Sequence, residues 1–476
     1  MCSPRLRRRR NLAGFRLAAR PSRPLAVLAT VLHSRSAANH RNNHHDAHEE
    51  DALNAIRTAL DENYNALEPE EQFLYRLASH LPAVDLDPDM VAASATLPVA
   101  WAGRLLNSLA DAHLLNVLPA APARPSRYQF SDAARAHAQD LAMARDSEAA
   151  RTTRLRRHCD WALATATAAQ KLLTPFQAAL SHTWLHPPTD PAPFTDKNGA
   201  LAWLDAYQDN LMAILRETHR TGWFDPTWQL ADAMWPLFHR LHPYEKWIEA
   251  HELGVAAARQ VGNGPAERQM LNSGAIGLSS AGRLDDAIAW YTDSLTAARA
   301  AGDARDEGQA LHGLGACHRD ASRLREAASY TAEAIAVWRG CDYLRGVALA
   351  MTVHGEIVRT LGNYEEAAEI FASARELLLV LDDPFDAARA LAFHGRVLSL
   401  AGNYTAGKAE LEHALRILKA DGGRHWSIRA HKMLAAAAHL HDDHFTAREH
   451  YQVVIDRYTL TNPAEALRLR GVLDTL

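Results

Sequence analysis

The sequence predicts an all-α protein in which an α-solenoid of helix pairs follows a small compact domain. Alanine and leucine are abundant while the alternation typical of strands is scarce. Residue types also recur with a period of 40 through the C-terminal half. No stretch approaches the roughly 18 consecutive apolar residues of a membrane-spanning helix, so we expect no membrane segment.

The period consists of several columns of matching residue types. Small residues follow the turn-forming positions by five, a spacing that indicates a tight turn and a closely packed second helix. We therefore predict helix–turn–helix repeats over 266–462 and a capping helix over 463–476. The turn column is Gly282, Ser322, Gly362, Gly402 and Asp442, and the small-residue column is Ala287, Ala327, Ala367, Gly407 and Ala447.

These repeats resemble tetratricopeptide repeats in a long-linker form. The resemblance is carried best by "LGNYEEAAEIFASA" (361–374) and "AGRLDDAIAWYTDSL" (281–295). It implies an α-solenoid of tetratricopeptide helix pairs whose first helices form a concave, peptide-binding face. Upstream, residues 146–265 are predicted to be a helical connector with a degenerate repeat from about residue 228.

One stretch, "AGNYTAGKAELE" (401–412), has nearly the G-x-x-x-x-G-K spacing of a phosphate-binding loop. In the repeat frame, however, Gly402 is the turn and Gly407 the small residue of the second helix. Lys408 would then lie inside a helix, whereas a phosphate loop needs its lysine at a helix N-terminus. We predict a repeat turn here, not a nucleotide site.

Residues 46–145 are predicted to form three helices, two short strands around a proline-rich loop, and a further helix. Three helices followed by a hairpin is the outline of a winged helix. "NYNALEPEEQFLYRLASHLP", "LLNSLADAHLL" and "RYQFSDAARAHA" resemble the winged helix of actinobacterial AfsR-type regulators, which are signal-transducing ATPases with NB-ARC modules.

That resemblance implies that the family's nucleotide-binding core would precede Met1. It also places a degenerate nucleotide-sensor motif at Phe130, Ser131 and Asp132, where serine replaces the family's histidine. Ser131 and Asp132 are also suitable N-caps of the next helix, and we favour that structural role.

Charge is distributed unevenly along the chain. Residues 1–45 hold ten arginines and no acidic residue, so the remainder carries 41 basic against 56 acidic residues. An acidic body argues against a nucleic-acid-coating surface. The basic segment fits a remnant of the NB-ARC lid, a nucleic-acid or membrane arm, or a targeting signal. Because the four cysteines show no C-x-x-C spacing or disulfide framework, we expect a cytoplasmic location.

No catalytic motif is apparent, so we predict a non-catalytic interaction module without cofactor or metal. The resemblance to AfsR-type regulators implies a regulatory or signalling role of transcription-regulator type. The repeat frame predicts an exposed basic concave face that binds a protein or acidic peptide, with a merely solvated charged face as the alternative. A nucleotide-dependent switch with its ATPase part elsewhere, DNA binding through the winged helix, and oligomerisation remain open. The face consists of Asn272, His312, Arg319, Glu356, Arg359, Arg389, Arg396, Arg429 and Lys432.

Overall fold

The computed structural model describes residues 45–121, 123–175, 180–189, 192–420 and 422–476. The predicted basic segment therefore lies, apart from residue 45, outside the described residues. The first elements are α1 (His45–Asn65), α2 (Pro69–Ser79), α3 (Pro88–Ala95), α4 (Val99–Asp111), β1 (Asn116–Leu118), β2 (Arg127–Gln129) and α5 (Asp132–Arg145).

The strands β1 and β2 pair antiparallel, with Val117 opposite Tyr128. The helices and the hairpin lie where the sequence pattern places them, except that the pattern did not indicate α3. This helix is only eight residues long, too short for a helical period, but it has clear end signals. Asp87 caps it by accepting the Met90 N–H at 3.1 Å, and Pro88 occupies its first turn.

A buried ionic cluster joins this region to the helices that follow. The Arg124 guanidinium contacts Asp85 at 2.5 Å and Asp87 at 2.7 Å, and it stacks 4.4 Å over the ring of Tyr207. Asn210 accepts a hydrogen bond from the Val84 N–H at 2.8 Å. Because these charges are buried, the attachment depends on their pairing.

The connector contains α6 (Glu148–Leu173), α7 (Lys197–Arg220), α8 (Phe224–Ala233), α9 (Trp235–Leu241) and α10 (Tyr244–Gln260). Helices α8 and α10 pack against each other as a pair, with the short α9 inserted between them. Trp247 of α10 is fully buried and donates its indole N–H to the Ser273 carbonyl at 2.9 Å, which ties the connector to the first solenoid helix.

The C-terminal half is a tetratricopeptide-like solenoid in which each helix packs on the next. Inner helices, which face the concave side, alternate with outer helices. The inner helices are α11 (Gly264–Ser280), α13 (Ala304–Asp320), α15 (Leu344–Thr360), α17 (Pro384–Leu400) and α19 (Arg424–Leu440). The outer helices are α12 (Leu284–Ala301), α14 (Leu324–Gly340), α16 (Tyr364–Val380), α18 (Tyr404–Ala420) and α20 (His444–Thr461), and α21 (Pro463–Leu473) follows them.

The phosphate-loop-like stretch is a repeat turn, as predicted. Gly402 has φ +94°, a conformation that favours glycine, and it separates α17 from α18. Gly407 lies within α18, where a methyl group would stand 2.4 Å from the Gly395 carbonyl oxygen. Lys408 pairs with Asp443 of the next turn at 2.8 Å, so its ammonium group links two repeats.

The solenoid curves until its far end meets the connector. The rings of His242 and His425 stack with centroids 3.7 Å apart, and Arg424 pairs with Asp205 at 2.8 Å. The ring of His239 lies 5.8 Å from that of Phe385. The connector thus spans the concave side, and a groove that would otherwise be open becomes a walled cavity.

Candidate binding cavity on the concave face

The cavity has a volume of about 460 Å³, within the range of small-ligand sites. All five inner helices line it, and the connector helix α9 forms one wall. The polar groups that matter below are His239, His242, His312, Arg389, His425 and Arg429.

Some of the residues predicted for the partner-binding face line the cavity, and the others lie away from it. Glu356 stands apart from the cavity, where it is hydrogen-bonded to Arg359 at 2.9 Å and lies 3.4 Å from Arg396. Lys432 pairs with Glu465 at 2.7 Å. The predicted residues that line the cavity are Asn272, His312, Arg319, Arg389 and Arg429.

The expectation that these columns are exposed is wrong for several positions. Asn272 is 2% exposed and Glu356 6%. The 40-residue frame correctly identifies the inner face, but neighbouring inner helices cover much of it. Curvature decides how closely those helices approach, and sequence spacing does not contain that information.

Arg429 is the most informative side chain of the cavity. Its guanidinium lies 4.3 Å from the ring of Trp426 and 5.9 Å from that of Phe393, and it forms no hydrogen bond or ion pair with any described residue. Burial, followed by repulsion from Arg319 and Arg389, lowers its pKa to about 10. Protein surrounds the group, yet part of its surface is accessible from within the cavity. Such a cation lacks the counter-charge that buried charges normally have.

The neighbouring arginines, in contrast, are neutralised. Arg389 pairs with Asp386 and stacks 4.1 Å over the same Trp426 ring, while Arg345 contacts Asp383 at 2.8 Å and also binds Asp386. Burial opposes ionisation of Asp386, but Arg389 and Arg345 outweigh that effect and lower its pKa. Asp386 therefore remains a carboxylate that is paired with Arg345 and Arg389, whereas no carboxylate is paired with Arg429 among the described residues.

Four histidines also line the cavity: His239, His242, His312 and His425. Only His312 belongs to the face predicted from the sequence, because the other three lie outside the repeat columns or on the connector. The chain's 26 histidines were a signal of unusual content, but nothing in the sequence brought these four together.

The predicted nucleotide-sensor residues have structural roles. Ser131 is the N-cap of α5 and accepts the Ala134 N–H at 3.3 Å. Phe130 is 5% exposed, and its ring centroid lies 5.5 Å from that of Tyr75. Asp132 is exposed in the first turn of α5, where its negative charge interacts favourably with the positive end of the helix dipole.

A threonine, a histidine and an aspartate do lie in line between α6 and α8. His182 contacts Thr167 Oγ1 through Nδ1 at 2.8 Å and Asp232 Oδ2 through Nε2 at 3.0 Å. However, the Thr167 hydroxyl also lies 2.7 Å from the Leu163 carbonyl, which competes with the imidazole for its single proton. None of the three residues lines the cavity, and the network acts as a link between helices.

Among the helices that the structure describes, none has the length and apolar character of a membrane-spanning segment. Within the described part of the chain, no group of three or more His, Cys, Asp or Glu is placed to hold a metal ion.

The chain is similar to several solved structures. No family model and no curated protein matches the chain. A signal-transduction ATPase (STAND) protein with a tetratricopeptide repeat sensor, from Pyrococcus horikoshii, is 14% identical with a TM-score of 0.38, covering 91% of this chain and 68% of its own. Aspartyl phosphate phosphatase F from Bacillus subtilis is 11% identical with a TM-score of 0.44, covering 88% and 95%.

A third similar structure is a Rap protein complexed with Competence and Sporulation Factor. It is 12% identical, with a TM-score of 0.42, and the match covers 59% of this chain and 87% of the other. At these identities and TM-scores the likenesses carry no argument about function, which must come from the cavity itself.

Proposed function

We propose that this chain is a non-catalytic protein-interaction module of regulatory type, which binds an acidic peptide segment of a partner in its concave cavity. The observation that carries the proposal is Arg429, whose half-buried guanidinium lines the cavity without an ion-pair partner among the described residues. A carboxylate would supply the missing counter-charge and accept hydrogen bonds from the planar guanidinium.

The surroundings of Arg429 favour a peptide over a bare inorganic anion. Beside the guanidinium the cavity is lined by Phe385, Phe393 and Trp426, which can contact the apolar part of a peptide. The amide of Asn272 has no hydrogen-bond partner, but the residue is 2% exposed, so a ligand in the cavity does not reach it in this conformation. A bare inorganic anion would pair with Arg429 and leave the aromatic surface without a contact.

The proposal is tested with two blocked probe peptides, acetyl-tetraglutamate amide and acetyl-tetraglutamine amide, titrated calorimetrically into the full chain. We expect the glutamate peptide to bind and the isosteric glutamine peptide to bind at least tenfold more weakly, since a charge-assisted hydrogen bond contributes about 1.5–3 kcal/mol. Affinity for the glutamate peptide should also fall as salt is added.

Arg429→Gln should weaken binding of the glutamate peptide by at least tenfold, because it removes the charge but retains a polar side chain. It should not unfold the protein, because Arg429 has no carboxylate partner that would be left uncompensated. Arg416→Gln is the matched control, an exposed arginine on the outer helix α18. Equal binding by wild type and Arg429→Gln, or no preference for the glutamate peptide, would refute the proposal.

A further inference from the structure

Three of the cavity histidines, His239, His242 and His425, lie together at the contact between connector and solenoid, and His312 lines the same cavity; the four are called the histidine cluster below. His242 of the segment after α9 stacks on His425 of α19. His239 of α9 stacks on Trp235 at 5.1 Å, and the ring of His312 of α13 lies 5.6 Å from that of Trp338. All four imidazoles line the cavity that holds Arg429, and each is only partly buried by surface area.

The charged groups that face this cluster come from every adjoining element. They are Arg240 of α9, Arg319 of α13, Asp386 and Arg389 of α17 and Arg429 of α19, with the phenol of Tyr244 beside His242. Seven basic and five acidic side chains line the cavity, and Asp386 is already engaged with Arg389 and Arg345. With neutral imidazoles the cavity lining therefore carries a net positive charge.

Each imidazole is neutral in this environment. Burial, followed by Arg389 and Arg319, lowers the pKa of His312 to about 4. Burial, followed by repulsion from Arg429, lowers the pKa of His242 to about 3. Burial, followed by repulsion from His242, lowers the pKa of His425 to about 2. An anion placed beside Arg429 would offset the repulsion that this arginine exerts on His242 and His425 and so favour their imidazolium form.

From this arrangement we infer that the four histidines and Arg429 form a proton-coupled anion site, in which binding of the ligand's carboxylate is accompanied by proton uptake at the histidine cluster. The inference rests on the proposed function and adds a regulation to it: the cavity binds its acidic ligand more tightly as the pH falls. The imidazoles act here as proton acceptors and not as metal ligands, in keeping with the lack of a metal-binding group among the described residues.

The size of the effect follows from linkage. If one histidine regains an ordinary pKa of about 6.5 in the complex, affinity rises about fourfold between pH 8.0 and pH 6.0. Two such histidines would give a change of roughly sixteenfold over the same interval. The glutamate probe does not change its own charge in this interval, because its carboxyls titrate near pH 4.3.

The test measures proton uptake directly with the wild-type chain. Acetyl-tetraglutamate amide is titrated at pH 6.0 and pH 8.0, each in two cationic buffers of different ionisation enthalpy. We expect the observed enthalpy at pH 6.0 to depend on the buffer, with uptake of a substantial fraction of a proton, and this dependence to vanish at pH 8.0. The dissociation constant should be at least fourfold lower at pH 6.0.

Variants locate the proton. His312→Gln leaves the contact between α9 and α19 untouched, and it should reduce the proton uptake and the pH dependence. His413→Gln, at an exposed position of the outer helix α18, should change neither. Helical circular dichroism confirms that each variant is folded.

The outcomes separate the two proposals. Binding that depends on Arg429 but shows equal enthalpies in both buffers at pH 6.0 overturns the proton coupling and leaves the proposed function standing. Proton uptake that is unchanged in His312→Gln and in His242→Gln overturns the assignment to this cluster. Failure of the glutamate peptide to bind at either pH overturns both proposals together.

Discussion

Replacing Gly407 by alanine tests the helix contact on which the repeat assignment depends. A methyl group built at this position would lie 2.4 Å from the Gly395 carbonyl oxygen and 2.2 Å from Ser399 Oγ. Ordinary van der Waals contact begins at 3.4 Å, so α17 and α18 must separate locally by about 1 Å to admit it. The closest backbone atom belongs to a helix and cannot rotate away as a side chain would.

Two effects oppose each other in this substitution. Overpacking of a tight core costs about 1–3 kcal/mol. Alanine in place of glycine in a helix interior stabilises by about 0.5–1 kcal/mol. Because both helix backbones must move, we expect overpacking to dominate and the free energy of unfolding to fall by about 1–2 kcal/mol.

The assay is urea-induced unfolding followed by circular dichroism at 222 nm, with hydrogen exchange of the α17 and α18 amides as a local readout. Gly340→Ala is the control, because that helical glycine of α14 has no atom within 4 Å of the added methyl group. It should be neutral or slightly stabilising. A Gly407→Ala chain as stable as wild type, with unchanged exchange in α17 and α18, would refute the close contact.

Two further predictions concern buried charge. Arg124→Met should lower the free energy of unfolding by about 3–5 kcal/mol, because Asp87 loses its cation in a buried site. Arg57→Met, which removes an exposed ion pair, should have almost no effect. Urea denaturation of both variants measures the difference. His158 and His251 are fully buried, and burial lowers the pKa of each to about 4. Because the folded-state pKa lies below the unfolded value of about 6.5, the stabilisation is complete above pH 6.5 and is lost as the pH falls towards 4. At pH 5.0 each of the two histidines should therefore lower the free energy of unfolding by about 1–2 kcal/mol. Urea midpoints at pH 7.5 and pH 5.0 measure the loss, His158→Gln should reduce it, and equal midpoints for wild type would contradict it.

The repeat period predicted much of the solenoid. Gly402 and Gly407 were assigned to a turn and to a helix contact from their columns alone, and the structure confirms both roles. This success has a local cause: a positive φ or a close helix approach restricts residue type within one repeat, and the restriction recurs every 40 residues. The short helix α3 was missed because eight residues contain too few turns to show a helical period.

The candidate site was predicted less completely. The frame placed Arg389 and Arg429 on the inner face, and both line the cavity. It also grouped Arg359 and Arg396 with them, although these two contact Glu356 away from the cavity. Arg389 and Arg396 lie about two turns apart on the same side of α17, and the repeat frame does not tell which of them reaches the cavity; in the structure only Arg389 does.

By itself, the amino-acid sequence determined the helical class, the repeat length, the turns and the inner face, because these follow from contacts within one repeat or between neighbours. The tertiary structure alone decided that the connector reaches α19, that the groove becomes a cavity, and that Arg429 lacks a partner there. It also assembled His239, His242, His312 and His425 from distant parts of the chain. Such features depend on the sum of small rotations over five helix pairs, and no single repeat encodes that sum.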